Sequence, residues 1–171
     1  MKWKVGDTTI TKITEIVFPE FSDVIPAATP EVVKKVEWLF PHFVTPEGAL
    51  TVSIHSLIVE TPGATLVVDT CIGNDRERGS FEVMSNLSTS YLDDMIAAGY
   101  NPDGIDYVLC THLHLDHVGW NTRLVDGKWV PMSPRPAPPS SASMTACIST
   151  SPSLWPDSPR SNGTVTPPST S

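Results

Sequence analysis

"THLHLDHVGW", residues Thr111 to Trp120, places three histidines and an aspartate within six positions. It follows the apolar run "IDYVLC" (Ile105–Cys110), which reads as a buried strand. Side chains alternate along an extended chain, so His112, His114 and Asp116 are expected on one side of it. His117 comes next and can swing round as the chain turns into a helix near Val118-Gly119. Four ligands then arise within one short loop, at little loop-closure cost. Imidazole nitrogen and carboxylate oxygen suit Zn²⁺, Fe²⁺ or Mn²⁺, and the absence of thiolate disfavours a structural zinc site. A catalytic ion keeps a position open for water and lowers that water's pKa to about 7. Adjacent residues 116 and 117 do not easily converge on the point that 112 and 114 face. A His112/His114 pair and an Asp116/His117 pair therefore suit two neighbouring ions better than one. Core hydrogen bonding explains a lone histidine well, but not HxHxDH at a strand end.

The chain leading to this stretch reads as folded. "TTITKITEIVF" (Thr8–Phe18) is β-rich, with Ile10, Ile13 and Ile16 alternating imperfectly. "TPEVVKKVEWLF" predicts a helix, with Thr29 as N-cap, Pro30 at its first position, and Val33, Val36 and Leu39/Phe40 at helical spacing. "LTVSIHSLIVE", "TPG" and "ATLVVDT" predict two strands joined by a tight turn. "TSYLDDMIAAG" predicts a short helix stopped at Gly99. Asp126-Gly127 within "TRLVDGKWVP" is a two-residue hairpin signal. Strands followed by a helix that feeds a further strand predict a layered α/β (α+β) fold.

Composition narrows the partners. A formal net charge of −8 lacks the clustered Lys and Arg of a nucleic-acid surface and gives no attraction to anionic membranes. No apolar run approaches the roughly 20 residues of a membrane span. The N-terminal "MKWKVGDTTI" has no apolar segment after its lysines, so it is no secretory signal, and the expected compartment is cytoplasmic. A small-molecule substrate is the expected partner; oligomeric state is not legible. Cys71, Cys110 and Cys147 form no disulfide framework and no CxxC pair, and the first two end apolar runs as small buried thiols do.

At His112, His114, Asp116 and His117 the sequence resembles the metallo-β-lactamase superfamily, whose HxHxDH signature these residues match one for one. "LVVDTCIGND" adds a second match, a strand ending in Asp69 and followed by a glycine-containing loop. The resemblance covers roughly residues 1–132 and implies an αββα sandwich with a metal site at one edge, of which this chain holds the N-terminal half. It implies that His112 and His114 hold one zinc ion and Asp116 and His117 a second, with iron or manganese as alternatives. Asp116 would also orient the bridging hydroxide, which makes it the candidate catalytic residue. The texture of "THLHLDHVGWNTRLVDGKWVP" is most similar to the lactonase and organophosphate-hydrolase-like branch. The implied reaction is attack of a metal-bound hydroxide on a lactone, ester or related carbonyl or phosphoryl substrate. An acidic surface favours a neutral substrate over a polyanion.

The family pattern also uses a later histidine for each metal and a later bridging aspartate. Here His42 and His55 both precede the cluster, and nothing after His117 is a histidine. His55 reads as a core or rim residue of a strand, and His42 as a loop residue. Asp126, in a hairpin turn, and Asp157 are the only later carboxylates. Each metal keeps two evident ligands, where catalytic zinc normally has three from protein. From Ser133 to Ser171 the chain holds nine of the 17 prolines, and Ser, Thr and Pro make up 25 residues. This composition predicts a disordered tail after a folded segment spanning residues 1–132. Its abrupt onset predicts a frameshift or truncation near Met132, leaving part of the sandwich's apolar sheet surface bare. Two alternatives accompany the hydrolase reading: a catalytically inactive fragment lacking the later ligands, and a superfamily thioester hydrolase or redox enzyme.

Overall fold

The computed structural model describes residues 1–19, 25–132 and 146–147. Its main sheet has five strands in chain order, with a two-residue sixth beside the last. These are β1 (Lys2–Val5), β2 (Thr8–Phe18), β3 (Val52–Glu60), β4 (Thr65–Val68), β5 (Tyr107–Cys110) and, at the edge, β8 (Ala146–Cys147). β1 to β4 run antiparallel, whereas β4, β5 and β8 pair in parallel. The parallel step requires a crossover, and helix α2 (Tyr91–Ala97) lies within it. A separate hairpin, β6 (Thr122–Val125) and β7 (Lys128–Pro131), turns at Asp126-Gly127. Both turn residues have positive φ, 49° and 73°, as the tight turn requires.

β3 shows why the sheet is covered on one side. Ile54, Ser56 and Ile58 are buried, while Ser53, His55, Leu57 and Val59 on the opposite face are only partly covered. The buried face packs with Ile13 and Val67 against Tyr91 and Met95 of α2, and Tyr100 and Ile105 close the cluster. Among the described residues one helix layer and one main sheet are present, consistent with the N-terminal portion of the sandwich. No helix among them is long and apolar enough to cross a membrane.

Two local expectations need correction. The predicted helix from Pro30 to Phe40 forms only over α1 (Pro30–Val33), followed by a 3-10 turn at Glu37–Leu39. Val33 alone is buried on α1, and Trp38 stands 74% exposed, so no apolar stripe holds a longer helix against the sheet. Pro41 also biases Phe40 out of helical geometry, and Phe40 is extended. The second correction concerns the histidines: β5 ends at Cys110, so 111–117 is a turn and not an alternating strand. The disordered, out-of-frame reading of 133–171 falls, apart from β8, outside the described residues, as does Asp157.

Candidate metal centre

The tip of β5 is terminated by a carboxylate. Asp69, at the end of β4 with φ of 58°, accepts the Thr111 backbone N–H at 2.7 Å and the Thr111 hydroxyl at 2.8 and 3.0 Å. An N–H taken by a side chain no longer serves the ladder, and the chain folds over into the histidine turn. The His117 N–H bonds to the His114 carbonyl at 3.0 Å and closes that turn.

The turn brings all four predicted residues together. His112 Nε2 and His114 Nδ1 are 3.1 Å apart, and the rings of His112 and His117 have centroids 3.9 Å apart. His117 Nε2 lies 3.3 Å from Asp116 Oδ2. Its other nitrogen, Nδ1, donates to Asp69 Oδ2 at 2.9 Å. The Thr111 hydroxyl lies 3.1 Å from His112 Nδ1. One nitrogen of His112 and one of His117 are thus held by Thr111 and Asp69, and the other lies beside His114 and Asp116 respectively. Outer partners orient metal-binding imidazoles in this way.

Electrostatics follow the contacts. Burial and the two neighbouring imidazoles hold His112 below the ordinary histidine range. For His117 burial acts against the charged ring, but Asp116 and Asp69 outweigh it and raise its pKa. Burial likewise opposes the Asp116 carboxylate, and His117 outweighs it, keeping Asp116 below the usual range. A neutral His112 and an ionised Asp116 are the forms that donate electron pairs to a cation.

The donor set can be tested against zinc. Zn–N and Zn–O bonds of about 2.0–2.1 Å at a tetrahedral angle put two ligands about 3.3 Å apart. The His112–His114 separation of 3.1 Å and the Asp116–His117 separation of 3.3 Å both fit. Among the described residues, however, no three His, Cys, Asp or Glu side chains converge as a metal-holding group. Each pair has the donor types and spacing that zinc accepts, and among the described residues neither pair gains a third protein ligand.

The remaining candidates fall elsewhere. His55 sits on β3, partly buried, its Nδ1 3.0 Å from the Ser53 carbonyl oxygen, and burial lowers its pKa. His42 is exposed beside Phe43, and Asp126 occupies its hairpin turn. Cys71 and Cys110 are both buried.

Two backbone segments support the cluster from below. The loop after Asp69 and the turn after His117 are joined by Thr70 N–H to His117 O at 2.8 Å, Gly119 N–H to Cys71 O at 2.7 Å, and Trp120 N–H to Thr70 O at 2.8 Å. The Thr70 hydroxyl adds a bond to Asn121 Oδ1 at 2.8 Å. Gly119 is required because a Cβ there would overlap the Ile72 carbonyl. Sequence reasoning passed over Glu15, whose carboxylate reaches both segments from β2.

No curated protein matches the chain. A solved hydrolase of the beta-lactamase superfamily, AbOPH, is 25% identical with a TM-score of 0.51, over 78% of this chain and 41% of that one. AidC, a dizinc quorum-quenching lactonase solved with a product, shares the fold at 21% identity and a TM-score of 0.51, over 70% of this chain and 37% of that one. The chain thus spans about two fifths of the length of these proteins. The model of the metallo-beta-lactamase superfamily matches residues 50–133, the stretch that holds Asp69 and all four candidate ligands. Over those residues this chain is similar to the metallo-beta-lactamase superfamily.

Proposed function

We propose that this chain carries the metal-binding segment of a hydrolase acting on a lactone, an ester or a related carbonyl or phosphoryl substrate. The observation that carries the reading is the close packing of His112, His114, Asp116 and His117 over Asp69. His112 and His114 would hold one divalent ion, and Asp116 and His117 the other. Zinc is the first choice, because one neighbour is described as dizinc. Such ions supply Lewis acidity and a coordinated water that loses its proton near neutral pH.

The protein's own part is orientation. Asp69 fixes the His117 ring by accepting its Nδ1–H hydrogen bond, which turns Nε2 toward Asp116 as the nitrogen that would reach a metal. Asp116 stays ionised beside His117, the form that would accept a hydrogen bond from a hydroxide held between the two pairs and so orient it. The net charge of −8 favours a neutral substrate, such as a lactone, over a polyanion.

A second reading, an inactive fragment, is favoured by the ligand count of two per ion. Hydrolysis assays with lactone, ester and phosphotriester panels, with zinc or manganese supplied, separate the two. The hydrolase reading expects turnover that His114→Ala abolishes. Absent turnover in the wild type, or turnover that survives His114→Ala, would refute it.

A further inference from the structure

Strand β2 carries a bulge: Thr14 faces His55 and Ile16 faces Ile54, so Glu15 between them has no partner on β3. A bulge re-aims the side chain that it sets aside. Glu15 Oε2 accepts the Ile72 N–H at 2.7 Å. Its Oε1 accepts the Gly73 N–H at 3.1 Å, the Trp120 indole N–H at 2.6 Å and the Thr89 hydroxyl at 3.3 Å. Ile72 and Gly73 lie on the loop that begins at Asp69, and Trp120 on the turn that follows His117. Trp120 is further held by stacking on Tyr91, with centroids 5.5 Å apart.

Both carboxylate oxygens are used as acceptors, and two of the donors are N–H groups of buried backbone. Loss of the acceptor leaves such groups unpaired away from water. An amide in place of the carboxylate would set an NH₂ group against one set of these donors. We propose that Glu15 is a positioning residue for the metal centre. Its carboxylate ties the Asp69 loop to the turn after His117, so that Asp69, Asp116 and His117 keep their spacing. The proposal rests on the reading of the cluster as a metal centre.

The test is Glu15→Gln in the full chain, read by amide hydrogen exchange without metal and by zinc affinity. Exchange at Ile72, Gly73, Gly119 and Trp120 is expected to quicken about tenfold, as the loss of one hydrogen bond to a charged group predicts, with β1 unchanged. Zinc affinity is expected to fall about 10- to 100-fold, the usual effect of removing an outer partner. Exchange in those loops equal to wild type, or zinc affinity equal to wild type in the folded variant, would overturn the proposal. Should the wild type itself take up no zinc, the metal reading fails, and the exchange measurement alone decides whether Glu15 couples the loops. Trp120→Phe covers the case in which Glu15→Gln does not fold, since it keeps an aromatic ring beside Tyr91 and removes the indole donor together with part of the ring volume. It should quicken exchange over 118–121 alone, and unchanged exchange there would equally overturn the proposal.

Discussion

Replacing Gly119 by alanine tests the packing on which the cluster rests. The added Cβ would overlap the Ile72 carbonyl and crowd the Gly73 nitrogen. Both obstacles are backbone, so no rotamer change relieves them. The two segments must separate, and three hydrogen bonds hold them: Thr70 to His117, Gly119 to Cys71, and Trp120 to Thr70. Giving up one or two of these costs about 0.5–1.5 kcal/mol each. Overpacking adds about 1–3 kcal/mol. The sum is about 1.5–6 kcal/mol, a large share of the roughly 5–15 kcal/mol that holds a typical domain together. Urea unfolding followed by far-UV circular dichroism measures it, as a lowered midpoint at unchanged slope. A Gly119→Ala stability within about 0.5 kcal/mol of wild type would refute the reasoning, because it would mean that the segments do not meet this closely.

Three further substitutions or treatments probe other parts of the account. Tyr91→Phe removes the 2.6 Å bond from the buried phenol to Ser56 Oγ and should cost about 1–2 kcal/mol in the same unfolding assay; equal stability would contradict that bond. Asp69→Asn should weaken zinc binding about 10- to 100-fold, because the amide cannot accept the His117 Nδ1–H bond and both Thr111 bonds as the carboxylate does; a zinc titration checks this, and unchanged affinity would contradict it. Cys71 and Cys110 should resist alkylation in the native chain and react after unfolding, as mapped by mass spectrometry. Burial pushes the Cys71 thiol far above the ordinary thiol range, so native labelling of Cys71 would contradict the packing.

Much of this fold is legible in the sequence where local chemistry and burial agree. The alternating "SIHSLIVE" forms β3, the Asp126-Gly127 pair makes the hairpin turn, and the run Tyr91–Ala97 forms α2 with Gly99 at its stop. The helix after Thr29 was less legible because its spacing was helical but its environment was not: Trp38 stands largely exposed. The candidate ligands were legible as a set, but the mechanism that gathers them was not. Alternation along a strand predicts the grouping of His112 and His114, yet the strand stops at Cys110 because Asp69 captures the Thr111 N–H. That capture spans 42 residues of sequence, beyond any local pattern. Glu15 did leave a trace, the imperfect spacing of Ile13 and Ile16, which is the mark of an extra residue in the strand.

The central claim is that residues 112–117 present nitrogen and oxygen donors as two adjacent pairs able to seat divalent ions. Zinc titration of the full chain against a chromogenic chelator tests it most directly. Wild type is compared with His112→Ala/His114→Ala and with Asp116→Ala/His117→Ala. The account predicts uptake by the wild type, with each double substitution removing one of two ions. Absence of uptake by the wild type, or uptake unchanged in both double variants, would contradict it.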